Sequence, residues 1–345
     1  MNRRHYIIPI FISHIGCPHQ CVFCNQDKIA KEVEEEVTEK DVRNTIEEYI
    51  KTIDHSSSTI EVSFFGGTFT AIDVKKQKEL LRVAREYKEK GFIDKIRMST
   101  RPDAINNYIL NYLKDYKVDI IELGVQSLDD EILKLSGRGH TVKDVEVASK
   151  LIKEFGFTLG HQIMPGLPGD NFDKDIETAK KSIEMKPDIC RIYPSLVIKD
   201  TPMEKMYERG EYKPYSLEDA VNISKELYKL YKEANVNIIR MGLQPTENIT
   251  WGRDLIDGPF HPSFRELVEG SLICESIEKA TKEDEDIIIE VNSKDLSKLY
   301  ANKKLYFNNI KNNRKGSITV KTNDKLKRGN FTVIVVKRME NISIG

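Results

Sequence analysis

The sequence predicts an α/β fold followed by a smaller unit, on three observations. Short apolar segments alternate with helical segments of roughly ten or more residues as far as about Thr250. Residues able to do chemistry cluster just after the apolar segments, where sites of parallel α/β folds lie. Beyond Thr250 the alternation ends, and from Asn292 the charge changes sign.

Ile7 to Ser13 reads as the first strand, with Pro9 near its start, where proline is tolerated. A cysteine-rich loop follows. Thr38 begins a helix, with Asp41 placed as the acid of a capping box, and Val42, Ile46, Tyr49 and Ile53 form its apolar face. Ile60 to Phe65 is a short strand closed by Gly66-Gly67. Asp73 to Lys90 is helical, with Leu80, Leu81, Ala84 and Tyr87 on one side. The alternation continues with strands near Ile96–Thr100, Ile120–Gln126, Leu159–Met164, Ile189–Pro194 and Val236–Arg240. Helices start at Ala104 and span Val142–Phe155, Asp173–Met185 and Ser216–Ala234. About six strands alternating with helices imply parallel pairing through right-handed crossovers. The motifs at Cys17–Cys24, Gly66-Gly67, Ser99–Pro102, Gln126, Met164–Gly169 and Tyr193 then share one mouth. After Thr250 come a helix from Ser263 to about Lys279 and strands at Ile287–Val291, Ile318–Thr322 and Phe331–Val336. They read as a small α/β or β-rich domain, dividing the chain into 1–249 and 250–345.

Composition agrees. The chain has 345 residues, enough for two domains or one large barrel with an extension. With 39% hydrophobic and 32% charged residues it is a globular sequence rather than a disordered one. No apolar run approaches the roughly 20 residues of a membrane helix. The basic start, Met1 to His5, is not followed by a signal-peptide pattern, so a cytoplasmic location is expected.

The net charge of −1 hides an asymmetry: Asn292 to Arg338 holds thirteen Lys/Arg against Asp295 and Asp324. Lys303, Lys304, Lys311, Arg314, Lys315, Lys321, Lys325, Lys327, Arg328, Lys337 and Arg338 are interleaved there with Tyr300, Tyr306, Phe307 and Phe331. Basic groups contact phosphates and aromatics stack on bases, so an RNA-binding module is one reading. A lysine-rich surface over an aromatic core is the other.

Cys17, Cys21 and Cys24 form C-x-x-x-C-x-x-C, with Phe23 before the last. The odd total of five cysteines argues against a disulfide framework. Cys190 and Cys274 read as buried small hydrophobes. Iron–sulfur cubes ordinarily take four thiolates. Three leave one iron open, as a catalytic metal requires. A zinc site completed by His14 or His19 is the competing reading.

Here the sequence resembles the radical S-adenosylmethionine (SAM) superfamily, and within it the catalytic subunit of Elongator, which modifies the wobble uridine of transfer RNA. The similar stretches are G-C-P-H-Q-C-V-F-C at 16–24, F-F-G-G-T-F at 64–69, S-T-R-P-D at 99–103, E-L-G-V-Q-S at 122–127, R-G-H-T-V at 138–142, H-Q-I-M-P-G-L-P-G at 161–169 and I-Y-P-S-L-V-I-K at 192–199. They cover roughly residues 5 to 245. The resemblance implies a partial (β/α)6 TIM-type barrel. It implies a [4Fe–4S] cluster on Cys17, Cys21 and Cys24, whose open iron is chelated by SAM, and cleavage of SAM to a 5′-deoxyadenosyl radical. Gly66, Gly67 and Thr68 match the segment that meets the methionine amino group. Ser99, Arg101 and Gln126 match positions near the ribose and methionine moieties. Arg138 is a partner for the cofactor carboxylate, and Met164 opens the segment near adenine. Tyr193, Lys199 and Arg240 are candidates for the substrate side. His140 and His161 read as structural. The chemistry also needs a reductant such as flavodoxin or ferredoxin.

The sequence departs from Elongator's subunit in two ways. The residues after Thr250 are too few for its acetyltransferase domain, and its long basic N-terminal arm is missing. G-V-Q-S-L-D-D and G-R-G-H also resemble oxygen-independent coproporphyrinogen oxidase. That family has a cysteine where Gln26 stands and a tyrosine where Phe11 stands. Methylthiotransferases need three further cysteines before the trio. The expected function is therefore radical modification of RNA, transfer RNA foremost. The alternatives are a radical enzyme on a small molecule or peptide, and a non-catalytic metal-binding module for RNA or protein.

Overall fold

A computed structural model describes residues 4–12, 17–25 and 37–336. His14, Gln26, Lys337 and Arg338, singled out above, lie outside these residues, as do Met1 and Ser13. By density of internal contacts the chain divides into Met1–Pro262 and Ser263–Gly345.

In the first unit, β1 (Arg4–Ile12), β2 (Ser58–Gly66), β3 (Lys95–Thr100), β4 (Ile120–Gln126), β5 (Thr158–Ile163), β6 (Ile189–Ile192) and β8 (Asn237–Met241) form one sheet in that order. Every pairing is parallel. This is a curled half-barrel of seven strands, one more than the (β/α)6 expectation. Between the strands run α1 (Glu39–Ile50), α2 (Val74–Glu89), α3 (Asn107–Asp115), α4 (Asp130–Leu135), α5 (Val142–Glu154), α6 (Phe172–Glu184), α7 (Pro202–Glu208) and α8 (Leu217–Glu233).

Local chemistry explains the elements. Thr38 with Asp41, and Thr141 with Asp144, close capping boxes on α1 and α5. Asp73, Asn106, Asn171 and Ser216 cap α2, α3, α6 and α8 through their side-chain oxygens. Strands β2 to β5 are buried almost throughout because helices cover one face and the lumen is filled. Pro9 sits well inside β1, not near its start. It is tolerated because β1 is the sheet's edge, where a missing N–H breaks no ladder.

The stretch 250–262, read from sequence as part of the second unit, groups with the first. The reason is a short antiparallel pair of β7 (Val197–Ile198) with β9 (Leu255–Asp257). Around it Leu196, Ile198, Ile249, Leu255 and Phe260 form a buried cluster.

The second unit has α9 (Phe264–Ala280), β10 (Ile287–Val291), α10 (Leu296–Leu299), α11 (Ala301–Asn312), β11 (Ile318–Thr322) and β12 (Phe331–Val335). Its sheet runs β11-β10-β12, parallel on one side and antiparallel on the other. Phe307 is buried in its core, and Tyr300, Tyr306 and Phe331 pack against that core. The aromatics are therefore core side chains, not a stacking surface.

Candidate active site

The strands end at one rim, and the cysteine loop is fastened there. Val22 N–H donates to the Ser136 carbonyl (3.0 Å), and Met203 N–H to the Val22 carbonyl (2.9 Å). The Asn25 side-chain amide donates to the Lys199 carbonyl (3.2 Å). Val22 and Phe23 pack on the buried cluster of Val197, Met203 and Tyr212. Phe23 thus anchors the loop. Lys199 contributes its backbone, and its side chain is exposed.

No cysteine is in a disulfide. The Cys17 sulfur lies 3.2 Å from the Thr68 hydroxyl, which follows β2. The Cys21 sulfur accepts from Arg138 Nη1 at 3.3 Å, while Arg138 Nη2 donates to the Gly124 carbonyl at 2.6 Å. Arg138 Nε is buried with no hydrogen-bond partner. Among the described residues no three His, Cys, Asp or Glu side chains converge on a point that would hold a single metal ion. A zinc site needs that convergence. A four-iron cube does not, since each thiolate takes its own iron around the cube. Three thiols in one loop, with a guanidinium donating to the sulfur of one of them, fit the cluster. Cys190 and Cys274 are buried elsewhere, and burial pushes both thiols up, that of Cys274 to about 12.

Gly66 and Gly67 turn the chain at the end of β2 beside the end of β1. Gly66 has φ +102°, and a Cβ there would lie 2.7 Å from the Ile12 carbonyl oxygen. Only glycine fits such an approach. Gly67 N–H donates to that same oxygen at 2.5 Å.

Ser99 stands in register with Glu122 on the lumen side of β3. Gln126, with φ +67°, is buried; its amide oxygen accepts from Gln162 at 3.3 Å, and its carbonyl accepts the Met164 N–H at 2.8 Å. Arg101 is buried and doubly bonded to Asp103 (2.9 and 2.8 Å). Burial alone would raise that carboxyl, but the Arg101 guanidinium holds it below its usual range.

The lumen below the rim carries a ladder that none of the sequence motifs announces. His5 meets Glu61 at 3.2 Å, and Ser63 donates to Glu61 at 2.6 Å. Arg97 bridges Glu61 (2.7 Å) and Glu122 (3.2 Å). Arg191 reaches Glu122 at 3.1 Å and donates to the Tyr193 hydroxyl at 3.1 Å. Arg191 must cross β5 to do so. It passes Gly160, whose register partners are Glu122 and Ile189; a Cβ there would lie 3.0 Å from both side chains. Burial raises the Tyr193 phenol, against the pull of the Arg191 and Arg240 charges. Arg240 donates to Gln244 at 2.6 Å. The signal in the sequence is a charge in the middle of each of four mainly apolar strands: Glu61, Arg97, Glu122 and Arg191.

His161 is wholly buried and satisfied on both nitrogens, by Ser149 (3.0 Å) and Ser182 (2.8 Å). Burial holds it down at about 3. His140 is also held at about 3, first by burial, then by the charges of Arg138 and Arg101. Neither can serve as a base poised near neutrality.

Comparison with known proteins bears on the same rim. Residues 11–182 match the family model of the Radical SAM superfamily, and residues 187–273 match the Radical SAM C-terminal domain. The chain is 30% identical over 255 residues to the tRNA uridine(34) acetyltransferase of Methanocaldococcus infernus, covering 63% of this chain and 48% of that one. It is 31% identical over 196 residues to Elongator complex protein 3 of Homo sapiens, covering 51% and 36%. A solved structure, the archaeal Methanocaldococcus infernus Elp3 with an N-terminal deletion, superposes with a TM-score of 0.65 at 26% identity, over 81% of this chain and 65% of that one. The chain thus spans about half the length, or less, of these curated relatives.

Proposed function

The chain belongs to the radical SAM superfamily, and from that premise we propose that this enzyme modifies RNA, transfer RNA foremost. The family implies a [4Fe–4S] cluster and SAM. Bound at the rim, the cluster would pass an electron from an external reductant to the sulfonium of SAM, the chemistry of a 5′-deoxyadenosyl radical that takes hydrogen from a substrate or adds to it.

The observation that carries the reading is the fastened loop: three thiols at the strand ends, with the remaining two cysteines buried elsewhere. In this reading Cys17, Cys21 and Cys24 hold three irons. Arg138 donates to the Cys21 sulfur, and its guanidinium suits the cofactor carboxylate. Gly66, Gly67 and Thr68 bring backbone without bulky side chains beside the loop, and Ser99, Gln126 and Met164 line the way down to the lumen. Tyr193 and Arg240 face the substrate from below the rim. The curled sheet and its ladder keep bulk water from a reactive radical.

The relative named for transfer RNA uridine supports RNA as the substrate. The second unit supports it through charge: Lys303, Lys311, Lys315, Lys321, Lys325 and Lys327 are exposed and make no ion pair among the described residues. With its aromatics in the core, such a surface would contact phosphates without reading bases.

The test has two parts. Given dithionite as reductant, the anaerobically reconstituted protein should cleave SAM to 5′-deoxyadenosine, and Cys17→Ala should abolish both the cluster absorbance and the product. Nucleosides of RNA from cells with and without the gene should differ at a modified uridine. An unchanged profile would move the substrate to a small molecule or peptide.

A further inference from the structure

We propose that Asp170 and Asp175 are positioning residues that share one proton, and that this proton holds the loop Met164–Gly169 in the form that receives the adenine of SAM. The proposal rests on the reading that places this loop beside adenine, and adds what keeps it there.

The loop follows β5 and is braced from outside. Met164 N–H donates to the Gln126 carbonyl at 2.8 Å, and Ser195 N–H to the Pro165 carbonyl at 2.9 Å. The Tyr212 hydroxyl donates to the Gly166 carbonyl at 2.6 Å. Gly166 has φ +79°, and a Cβ there would lie 2.7 Å from the Tyr215 ring, so the loop is seated directly on that ring. Tyr212 also belongs to the cluster on which Val22 and Phe23 pack, so one side chain braces this loop and the cysteine loop. Residues 165–168 are buried. Buried backbone N–H groups need acceptors. Pro165 and Pro168 have none to satisfy; the Gly166 and Leu167 N–H groups are turned toward the carboxyls of Asp170 and Asp175.

Those carboxyls form an unusual pair. Asp175, in the first turn of α6, is only 3% exposed. It accepts from the Tyr215 hydroxyl at 2.8 Å and hydrogen-bonds to the carboxyl of Asp170. Asp170 accepts the Asn171 N–H at 2.9 Å. Neither makes an ion pair among the described residues. Lys174, beside them on α6, is turned to Asp129 (3.4 Å) and Glu131 (3.3 Å) at the start of α4. The other titratable groups facing the pair are Tyr215, just before α8, and Tyr212, after α7, with Asp257 of β9 beyond it. Both phenols are pushed up by burial and stay neutral. No third metal-ligating side chain converges here among the described residues, so a metal ion does not take the proton's place. Two carboxyl groups without a cation bond to each other only when one is protonated. Burial raises both, and the facing Asp170 charge lifts Asp175 further. Asp175 is therefore the acid and Asp170 the anion. The hold is complete at low pH and is lost as pH rises through the pair's titration.

The experiment measures SAM binding to the full-length reconstituted protein, without reductant, from about pH 6 to 9, where buried carboxyls release their protons. Wild type, Asp175→Asn, Asp175→Ala and Tyr215→Phe are compared at each pH, which cancels the titration of SAM itself. Hydrogen exchange of residues 164–171 is followed on the same samples before SAM is added. Wild-type affinity should fall by up to about tenfold per pH unit as the pair ionises, and the loop should lose protection in step. Asp175→Asn keeps a neutral donor and should hold its affinity and its protection across the range. Asp175→Ala should bind weakly at every pH. Tyr215→Phe removes the hydroxyl that favours the charged form of Asp175, so it should move the fall to higher pH. Unchanged cluster absorbance shows that the variants keep the cysteine loop. Wild type that tracks Asp175→Asn in both readouts overturns the shared proton, as does a fall that Tyr215→Phe moves to lower pH. Weak SAM binding by Asp175→Ala beside a pH-indifferent wild type sinks the shared proton alone. A loop that opens with pH while wild-type affinity tracks Asp175→Asn sinks the adenine placement alone.

Discussion

Glu122 is shared by two arginines, Arg97 at 3.2 Å and Arg191 at 3.1 Å, and is almost wholly buried. A buried ion pair adds little over an apolar substitute, but half of one is costly, because the remaining charge has no water. Glu122→Gln should therefore destabilise the protein by about 3 to 5 kcal/mol in urea unfolding. A change under 1 kcal/mol would show that water enters the lumen freely. His161 makes a different prediction. Its folded value is about 3, against about 6.5 in an unfolded chain. The neutral ring is what the fold accepts, so its contribution is complete above pH 6.5 and drains away as pH falls from there toward 3. Between pH 7 and 5 this one ring should cost about 2 kcal/mol. His161→Gln should flatten the pH dependence of unfolding by that amount. A slope identical to wild type would mean that the ring is not the titrating group.

Elements set how the site is held. The end of β2 turns through Gly66 so closely on β1 that the Ile12 oxygen takes the Gly67 N–H. Ile12 closes β1 just ahead of the cysteine loop, so an error at this turn propagates to the thiols. Gly66→Ala should cost about 1 to 3 kcal/mol in stability, and should lower the iron bound per chain after reconstitution. Full iron content in that variant would show that the loop is positioned by Ser136 and Met203 alone. The pairing of β7 with β9 belongs to the same scale. It draws 250–262 into the first unit and places Asp254 where its carbonyl accepts the Lys199 N–H (2.8 Å).

Over the whole molecule the charge is divided, with the second unit basic and the remainder acidic. Some of that positive charge is structural. Arg314 ties Thr281 to the Lys282 and Glu285 carbonyls, and Lys298 meets Glu269 and Asp295. The rest, including Lys303, Lys311 and Lys321, is exposed. Replacing these three lysines by glutamine should weaken transfer RNA binding and reduce the slope of log affinity against log salt by about two to three. The melting temperature should stay as it was. A slope unaltered by the triple substitution would place RNA contact elsewhere.

Much of this protein is legible in the linear order of its residues. The β/α alternation, the capping box at Thr38, the gathering of motifs at strand ends and the thiol trio are all written in short-range patterns. Period, spacing and residue type act within a few positions, so they survive without knowledge of neighbours. What the tertiary structure alone decided are meetings between distant residues. Glu61, Arg97, Glu122 and Arg191 lie on four strands, and only register, the curl of the sheet and the gap at Gly160 bring them into one ladder. Tyr300, Tyr306, Phe307 and Phe331 belong to a core because the second unit's helices and sheet have that face to bury. Burial and pairing of charge are properties of the packed chain, and a string of residue types carries them only as possibilities.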